Sequence, residues 1–402
     1  MTPSDRSEEP GVLDDAGLRR AVAVLCTTEI TSWGVLYYAF PVLSDAITAD
    51  TGWSPTLTMG AFSVGLVVTG LAGVLAGRLL DRHGPRPVMT TGSLLAVPAL
   101  ALIALAPTRA VFLAGWVLAG VAMSAVLYTP AFTAVTRWGG SRALRGLTAV
   151  TLVAGLASTV FAPLTAVLEH ALGWRGAYLV LMVVLAAVTV PLHAFGLPST
   201  WVAHDHPRSR GGRASSSREF VVLAVLLALA AFATYAALVN LVNLLVGRGV
   251  ALTAAAVALG LGGAGQVAGR LLYRPLAEHS TLLARTVATL LVLAAATAAL
   301  ALVDGPYVVL VLLSVAAGLA RGIMTLLQAT AVPDRWGTLG LGRHNGLLAA
   351  PAMVASAGAP FAAALLAGAL GGLDGVFLGL AVLLCVAAVL VPATLPSRTP
   401  VA

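Results

Sequence analysis

The sequence predicts an all-α integral membrane protein with twelve transmembrane helices, arranged as two six-helix pseudo-repeats. Three observations predict it. The 402 residues are 59% hydrophobic and only 10% charged, where a soluble domain carries about a quarter charged residues, and the mean hydropathy is +0.96. Roughly twelve apolar runs of about twenty residues can be marked, each long enough to cross a bilayer core. Short sequence elements recur in the same order in the two halves, which points to duplication of one unit.

Residues 1–20 read as a polar cytoplasmic tail. Arg19-Arg20 then precede an apolar run that continues past Tyr38, too long for a signal-peptide core, so no cleavable signal is expected. The first half, 21–197, holds the spans Ala21–Ile47, Thr56–Leu79, Pro87–Ala106, Ala110–Thr136, Gly146–Glu169 and Trp174–Leu197. A polar, Ser- and Arg-rich stretch, 198–219, reads as a cytoplasmic linker. The second half, 220–395, holds Phe220–Val246, Leu252–Leu276, Leu282–Val303, Tyr307–Val332, Asn345–Leu370 and Gly375–Leu395, followed by a short tail, 396–402.

All 23 basic residues are Arg, and most fall in alternate short loops. Arg78, Arg82 and Arg86 follow the second span; Arg137, Arg142 and Arg145 follow the fourth; Arg335 and Arg343 follow the tenth. The opposite loops hold few, among them Arg109, Arg175 and Arg248, alongside acids such as Asp50 and Asp374. The positive-inside rule places both termini in the cytoplasm of a multi-pass inner (plasma) membrane protein. The basic balance is therefore topological, and nucleic acid is excluded as a partner. Cys26 and Cys385 lie in the first and last runs and read as packing residues. His204-Asp205-His206 sits in the linker without a rigid scaffold, so it reads as solvated, and no metal or cofactor is expected.

The halves echo one another. Ala76-Gly77-Arg78-Leu79-Leu80 returns as Ala268-Gly269-Arg270-Leu271-Leu272, Arg137-Trp138-Gly139 as Arg335-Trp336-Gly337, and Ala162-Pro163 as Ala359-Pro360. Tyr273 stands in the second copy where the first has Asp81.

The stretch Gly77-Arg78-Leu79-Leu80-Asp81-Arg82-His83-Gly84-Pro85-Arg86 reads as a charged hairpin in a membrane-proximal loop, with Gly84 at the reversal and Pro85 stopping the helix. Its order Gly-x-Leu-x-Asp-Arg-x-Gly-x-Arg resembles the loop between the second and third helices of the major facilitator superfamily of secondary transporters. Pro85 departs from the second basic residue that many members carry there. Together with the repeat, the resemblance covers essentially the whole chain. A narrower one lies in Ser32-Trp33-Gly34-Val35-Leu36-Tyr37-Tyr38-Ala39-Phe40, Asp50-Thr51-Gly52-Trp53-Ser54 and Leu172-Gly173-Trp174-Arg175, which look like landmarks of the monocarboxylate and oxalate/formate branch.

The resemblance implies a solute site at the midplane between the halves, lined by the first, fourth, seventh and tenth helices. It also makes Gly77, Asp81, Arg82, Gly84 and Arg86 a gating loop, in which Asp81 pairs with Arg137 or Arg142. Nothing in the sequence resembles an enzyme's site. The informative residues are ionisable groups inside spans, which are expensive there and functional by default.

Glu29 lies about nine residues into the first span, roughly 13 Å along its axis. It has Thr27, Thr28, Thr31 and Ser32 around it and suits proton coupling; an acid that locks two helices through an Arg is the plain alternative. Arg321 lies near the middle of the tenth span, where a guanidinium suits a carboxylate solute; a structural ion pair is its alternative. Thr325 and Gln328 follow it along the same side. Tyr37, Tyr38, Tyr128, Tyr235, Asn240 and Asn243 are further lining candidates, or helix–helix hydrogen-bonding groups. Arg270 reads as the match of Arg78, snorkelling at the membrane surface.

The expectation is a proton-coupled transporter of a small organic solute, most readily a monocarboxylate or related organic anion, working by alternating access. Drug or metabolite efflux is the rival within that class, and a non-transporting membrane sensor of the same fold is the rival outside it. The expected partners are the solute, protons and the lipid bilayer. No oligomeric state is fixed, a monomer being expected.

Overall fold

The computed structural model describes residues 11–202 and 217–396. Residues 1–10 and 397–402 of the tails and 203–216 of the linker, including His204-Asp205-His206, lie outside the described residues. Among the described residues every regular element is helical. They form twelve rods.

In the first half, α1 comprises Asp15–Trp33, a π-helical turn Gly34–Tyr38 and Ala39–Thr51. It begins inside the stretch expected to be tail, because Asp14 accepts from the Gly17 N–H and caps it there. α2 is Pro55–His83 and α3 is Pro85–Ala104. The expected hairpin loop is thus almost entirely helix. Asp81 sits in the last turn of α2, Gly84 alone separates the rods at φ 84°, and Pro85 opens α3 as its first residue.

α4 has two pieces, Arg109–Val126 and Tyr128–Gly139, divided at the extended residue Leu127. The helix Ala157–Pro191 breaks at Gly173 (φ 68°, ψ 170°). Together with Ala143–Ala154 it supplies α5 before the break, and it continues through a π-helical turn, Leu192–Gly196, as α6 beyond it.

The second half gives α7 (Arg218–Gly247), α8 (Leu252–His279), α9 (Leu282–Leu302), α10 (Tyr307–Thr330), α11 (Leu341–Ala369) and α12 (Leu373–Leu390). Ser217 and Thr281 cap α7 and α9 by accepting from Phe220 and Ala284 N–H groups. Among the described residues, seven stretches are long and apolar enough to cross a membrane, and one of these, Arg109–Gly196, runs through α4, α5 and α6.

Contacts divide the chain into two units. The first is residues 1–207 with 338–346, so the opening turn of α11 belongs to it; the second is 208–337 with 347–402. Within each, the second and fourth rods meet through glycine. A Cβ on Gly120 of α4 would lie 2.3 Å from the Gly65 carbonyl oxygen of α2, and one on Gly318 of α10 would lie 1.9 Å from that of Gly262 of α8. Lipid gives helices no hydrophobic reason to associate, so close backbone approach through small residues takes that role.

Each unit also carries an arginine tie at the opposite end of its rods from Asp81 or its repeat match. In the first, Arg175 bonds the Ala104 carbonyl at 2.8 Å and lies 3.4 Å from Asp50, which also accepts from the Trp174 indole at 2.9 Å. Two landmarks far apart in sequence therefore meet. In the second, Arg248 bonds the carbonyls of Leu300, Ala301 and Val303 and pairs with Asp374.

Candidate functional site

Glu29 is fully buried in α1. The Trp33 indole N–H, one turn on, donates to its Oε2 at 3.0 Å, while Oε1 has no hydrogen-bond partner among the described residues. The α1 backbone explains the setting. Gly34 opens the π-helical turn, and a Cβ there would lie 2.2 Å from the Phe161 ring of α5, so only glycine lets α1 seat so closely. π-helical turns of this kind rotate the residues beyond them relative to those before.

Trp33 is the hub of an aromatic cluster, with ring centroids 5.3 Å from Tyr37, 6.4 Å from Tyr38 and 4.9 Å from Tyr128. Tyr37 also meets Phe62 of α2, and Tyr128 stacks on Phe132. Four of the sequence candidates, Glu29, Tyr37, Tyr38 and Tyr128, thus come together through Trp33. The sequence signal for Trp33 was its spacing of four from Glu29, which puts both on one helix face.

The Asp81 carboxylate is buried, 2% exposed. Its two oxygens accept from the backbone N–H groups of Gly342 (2.9 Å) and Arg343 (2.8 Å), in the first turn of α11, and Arg137 lies 3.8 Å away. Those N–H groups have no intrahelical acceptor, and an anion there also faces the positive end of the helix dipole. Gly77 and Gly342 make the approach possible, since a Cβ on Gly77 would sit 2.1 Å from the Gly342 carbonyl oxygen. Of the two expected partners, Arg142 bonds elsewhere, to Asp15 and the Leu13 carbonyl. Arg82 is exposed, and Arg86 donates to the Ala194 carbonyl of α6 at 2.6 Å. The partner residues Gly342 and Arg343 were not legible in sequence, because they lie more than 260 positions from Asp81.

In the second unit, Arg321 is half-buried in α10 and borders a cleft of about 370 Å³, its open mouth included. Thr234, Thr297, Ser314 and Phe377 share the lining, together with apolar residues of α7 and α9. A guanidinium nitrogen of Arg321 lies 3.5 Å from where a Gly262 Cβ would be, an ordinary contact distance, so the arginine packs beside the α8 glycine. Thr325 turns its hydroxyl back to the Arg321 carbonyl at 3.0 Å, and Asn240 does the same to Ala236 at 2.9 Å. Gln328 and Asn243 are exposed and Tyr235 is half-buried; none of these three lines the cleft. Arg270 corrects an expectation. It is 4% exposed, beside the close contact of α8 with Gly322 of α10, whereas Arg78 is exposed, so it does not reach out to a surface as expected.

The model of the Major Facilitator Superfamily matches residues 25–340. The chain belongs to this superfamily. It is a multi-pass membrane protein of a transporter family, with a transporter's fold. Over 156 residues it is 25% identical to the uncharacterized MFS-type transporter YcxA of Bacillus subtilis (strain 168), covering 39% of this chain and 37% of that one. It is 27% identical over 168 residues to monocarboxylate transporter 13 of Rattus norvegicus, covering 42% and 36%. With the fujikurins efflux protein of Gibberella fujikuroi (strain CBS 195.34 / IMI 58289 / NRRL A-6831) it shares 31% over 102 residues, 25% and 20% of the two chains. The matches span little more than a third of the length of the first two relatives and a fifth of the third.

Among solved structures, the MFS transporter FucP in the outward conformation superposes with a TM-score of 0.75 at 14% identity, covering 94% of this chain and 99% of that one. The human organic anion transporter MFSD10 (TETRAN) gives 0.73 at 18% identity, covering 93% and 99%. At such identities the likeness is one of fold.

Proposed function

We propose that this superfamily member is a proton-coupled transporter of a small organic anion, most readily a monocarboxylate, working by alternating access. The observation that carries the reading is Arg321, a charge held half-buried at a cleft whose other lining is hydroxyl and apolar. A guanidinium offers a carboxylate two parallel N–H donors, and the apolar lining suits the rest of a short acid. The partial matches to a monocarboxylate transporter and, in fold, to an organic anion transporter agree with it.

Glu29 supplies the coupling proton in this reading. It is a buried carboxyl held on one oxygen by Trp33, with the other left to take up and release a proton. Asp81 is the latch. Its grip on the first turn of α11 forms in one access state and releases in the other, with Arg137 neutralising the acid. Both termini lie in the cytoplasm, on the side where the arginine-rich loops gather.

A second reading has two observations in its favour, the first being the partial match to an efflux protein. The aromatic cluster around Trp33, with a carboxyl beneath it, also suits an apolar or cationic solute, as efflux would require. Uptake into proteoliposomes, from a panel of labelled short-chain acids and lipophilic cations with and without a pH gradient, tests both. Gradient-driven accumulation of an acid supports the anion reading. Transport of cations with no acid transported replaces it by efflux.

A further inference from the structure

We propose that Trp201, in the first residues of the linker between the halves, is a positioning residue of the Asp81 latch. The inference rests on the reading of Asp81 as a gate, and it gives the linker a part in that gate.

Residues 198–202 do not leave the bundle as free chain. The Trp138 indole, at the end of α4, donates to the Thr200 carbonyl at 3.1 Å, and Arg137 donates to the Val202 carbonyl at 2.9 Å. Between these two anchors the Trp201 side chain is pressed onto the α2–α3 reversal. Its indole N–H donates to the Asp81 backbone carbonyl at 3.1 Å. A Cβ on Gly84 would lie 2.8 Å from its ring, so Gly84 serves both the positive φ and the seat of the indole. The Arg137 guanidinium lies over the same ring, 4.2 Å from its centroid, and Trp138 meets it edge-on at 6.1 Å.

Trp201 therefore touches both members of the ion pair. It holds Asp81 through the backbone and Arg137 through its π face. The Asp81–Arg137 separation of 3.8 Å is long for a direct bond, and an arginine held by a ring and a carbonyl keeps its charge near the acid without competing for its lone pairs. Both carboxylate oxygens then stay directed at the Gly342 and Arg343 N–H groups. Pulling Trp201 away would release the acid and the arginine together.

Hydrogen exchange gives a readout that needs no known solute, because these two first-turn amides have no intrahelical acceptor and are bonded to Asp81. The full chain in detergent is followed by mass spectrometry through peptides covering 339–346 and 197–202. Wild type is compared with Asp81→Asn, Trp201→Phe and Trp201→Ala, and each variant is also assayed for proton-driven uptake in proteoliposomes. Trp201→Ala should speed exchange of the 342–343 amides by about tenfold, the loss of one hydrogen bond and one cation–π contact. Trp201→Phe keeps the ring and should give a smaller increase; it also serves where Trp201→Ala does not fold. A strap that only ties the linker would speed exchange at 197–202 and leave 342–343 unchanged, which overturns the proposal. Should Trp201→Ala speed the 342–343 amides while Asp81→Asn leaves transport intact, the positioning role stands and the gating reading falls.

Discussion

The indole N–H of Trp33 and the Oε2 of Glu29 are 3.0 Å apart on one face of α1, and the second carboxylate oxygen is buried without a hydrogen-bond partner among the described residues. An indole can only donate. Oε2 is therefore an acceptor in either protonation state, and under the proposed coupling role the proton belongs on Oε1. Glu29→Gln keeps the Trp33 bond through its amide oxygen and removes the titration alone. It should retain solute exchange and lose accumulation driven by a pH gradient, both measured in proteoliposomes. Accumulation equal to wild type would remove Glu29 from the coupling role.

Arg321 is tested by chemistry at the ligand. A charge at membrane depth costs at least about 2.5–3.5 kcal/mol, so its removal by Arg321→Ala need not harm the fold. That variant should lose saturable binding of a transported acid and any preference for the acid over its neutral amide. Arg321→Lys retains charge and loses the planar fork, and its affinity for the acid should fall about tenfold or more. Equilibrium binding of the acid and its amide to all three proteins decides it. Equal binding of both ligands, unchanged in Arg321→Ala, would make the arginine structural.

The α8–α10 contact predicts a steep dependence on one methyl group. At Gly318 a Cβ would lie 1.9 Å from a backbone oxygen, where no side chain can give way. Gly318→Ala should cost about 1–3 kcal/mol or more. Gly263, one residue from Gly262, has nothing within 4 Å of its own Cβ position, so Gly263→Ala should be close to neutral. Thermal unfolding in detergent compares the two.

Arg175 and Arg248 should differ in weight. The Arg248 side chain is 8% exposed and holds three carbonyls, whereas that of Arg175 is 40% exposed. Arg248→Ala should cost at least about 2 kcal/mol, because buried acceptors lose their donors. Arg175→Ala should cost under about 1 kcal/mol. Unfolding midpoints at matched detergent concentration read the difference.

What the sequence made legible was periodic or local. Apolar run length marked the rods, and the echo of Arg137-Trp138-Gly139 in Arg335-Trp336-Gly337 marked the halves. The Asp81 hairpin was recognisable as a motif, but its contact was not. The acid grips main-chain N–H groups, and N–H groups look alike at every position of a sequence. Trp201 escaped for a related reason, since a tryptophan within a polar linker has no period to betray its docking. Arg270 misled because helix position alone cannot tell whether a neighbouring backbone closes over a side chain. The early start of α1 was readable in principle from Asp14 as a cap, and was hidden by the polar composition around it.

The two arginine ties have a consequence for how the halves are compared. In the first half the acid is on α1 and the arginine on α6; in the second the arginine caps the end of α7 and the acid is on α12. First and sixth rods have traded charges, yet in each half the arginine plugs the carbonyl end of the third rod. Residue-by-residue alignment of the halves scores those positions as mismatches of opposite sign. A comparison keyed to which helix end is stoppered would recover the kinship that letter matching loses. It would also treat a paired exchange, Asp50→Arg with Arg175→Asp, as a step toward the other half's wiring.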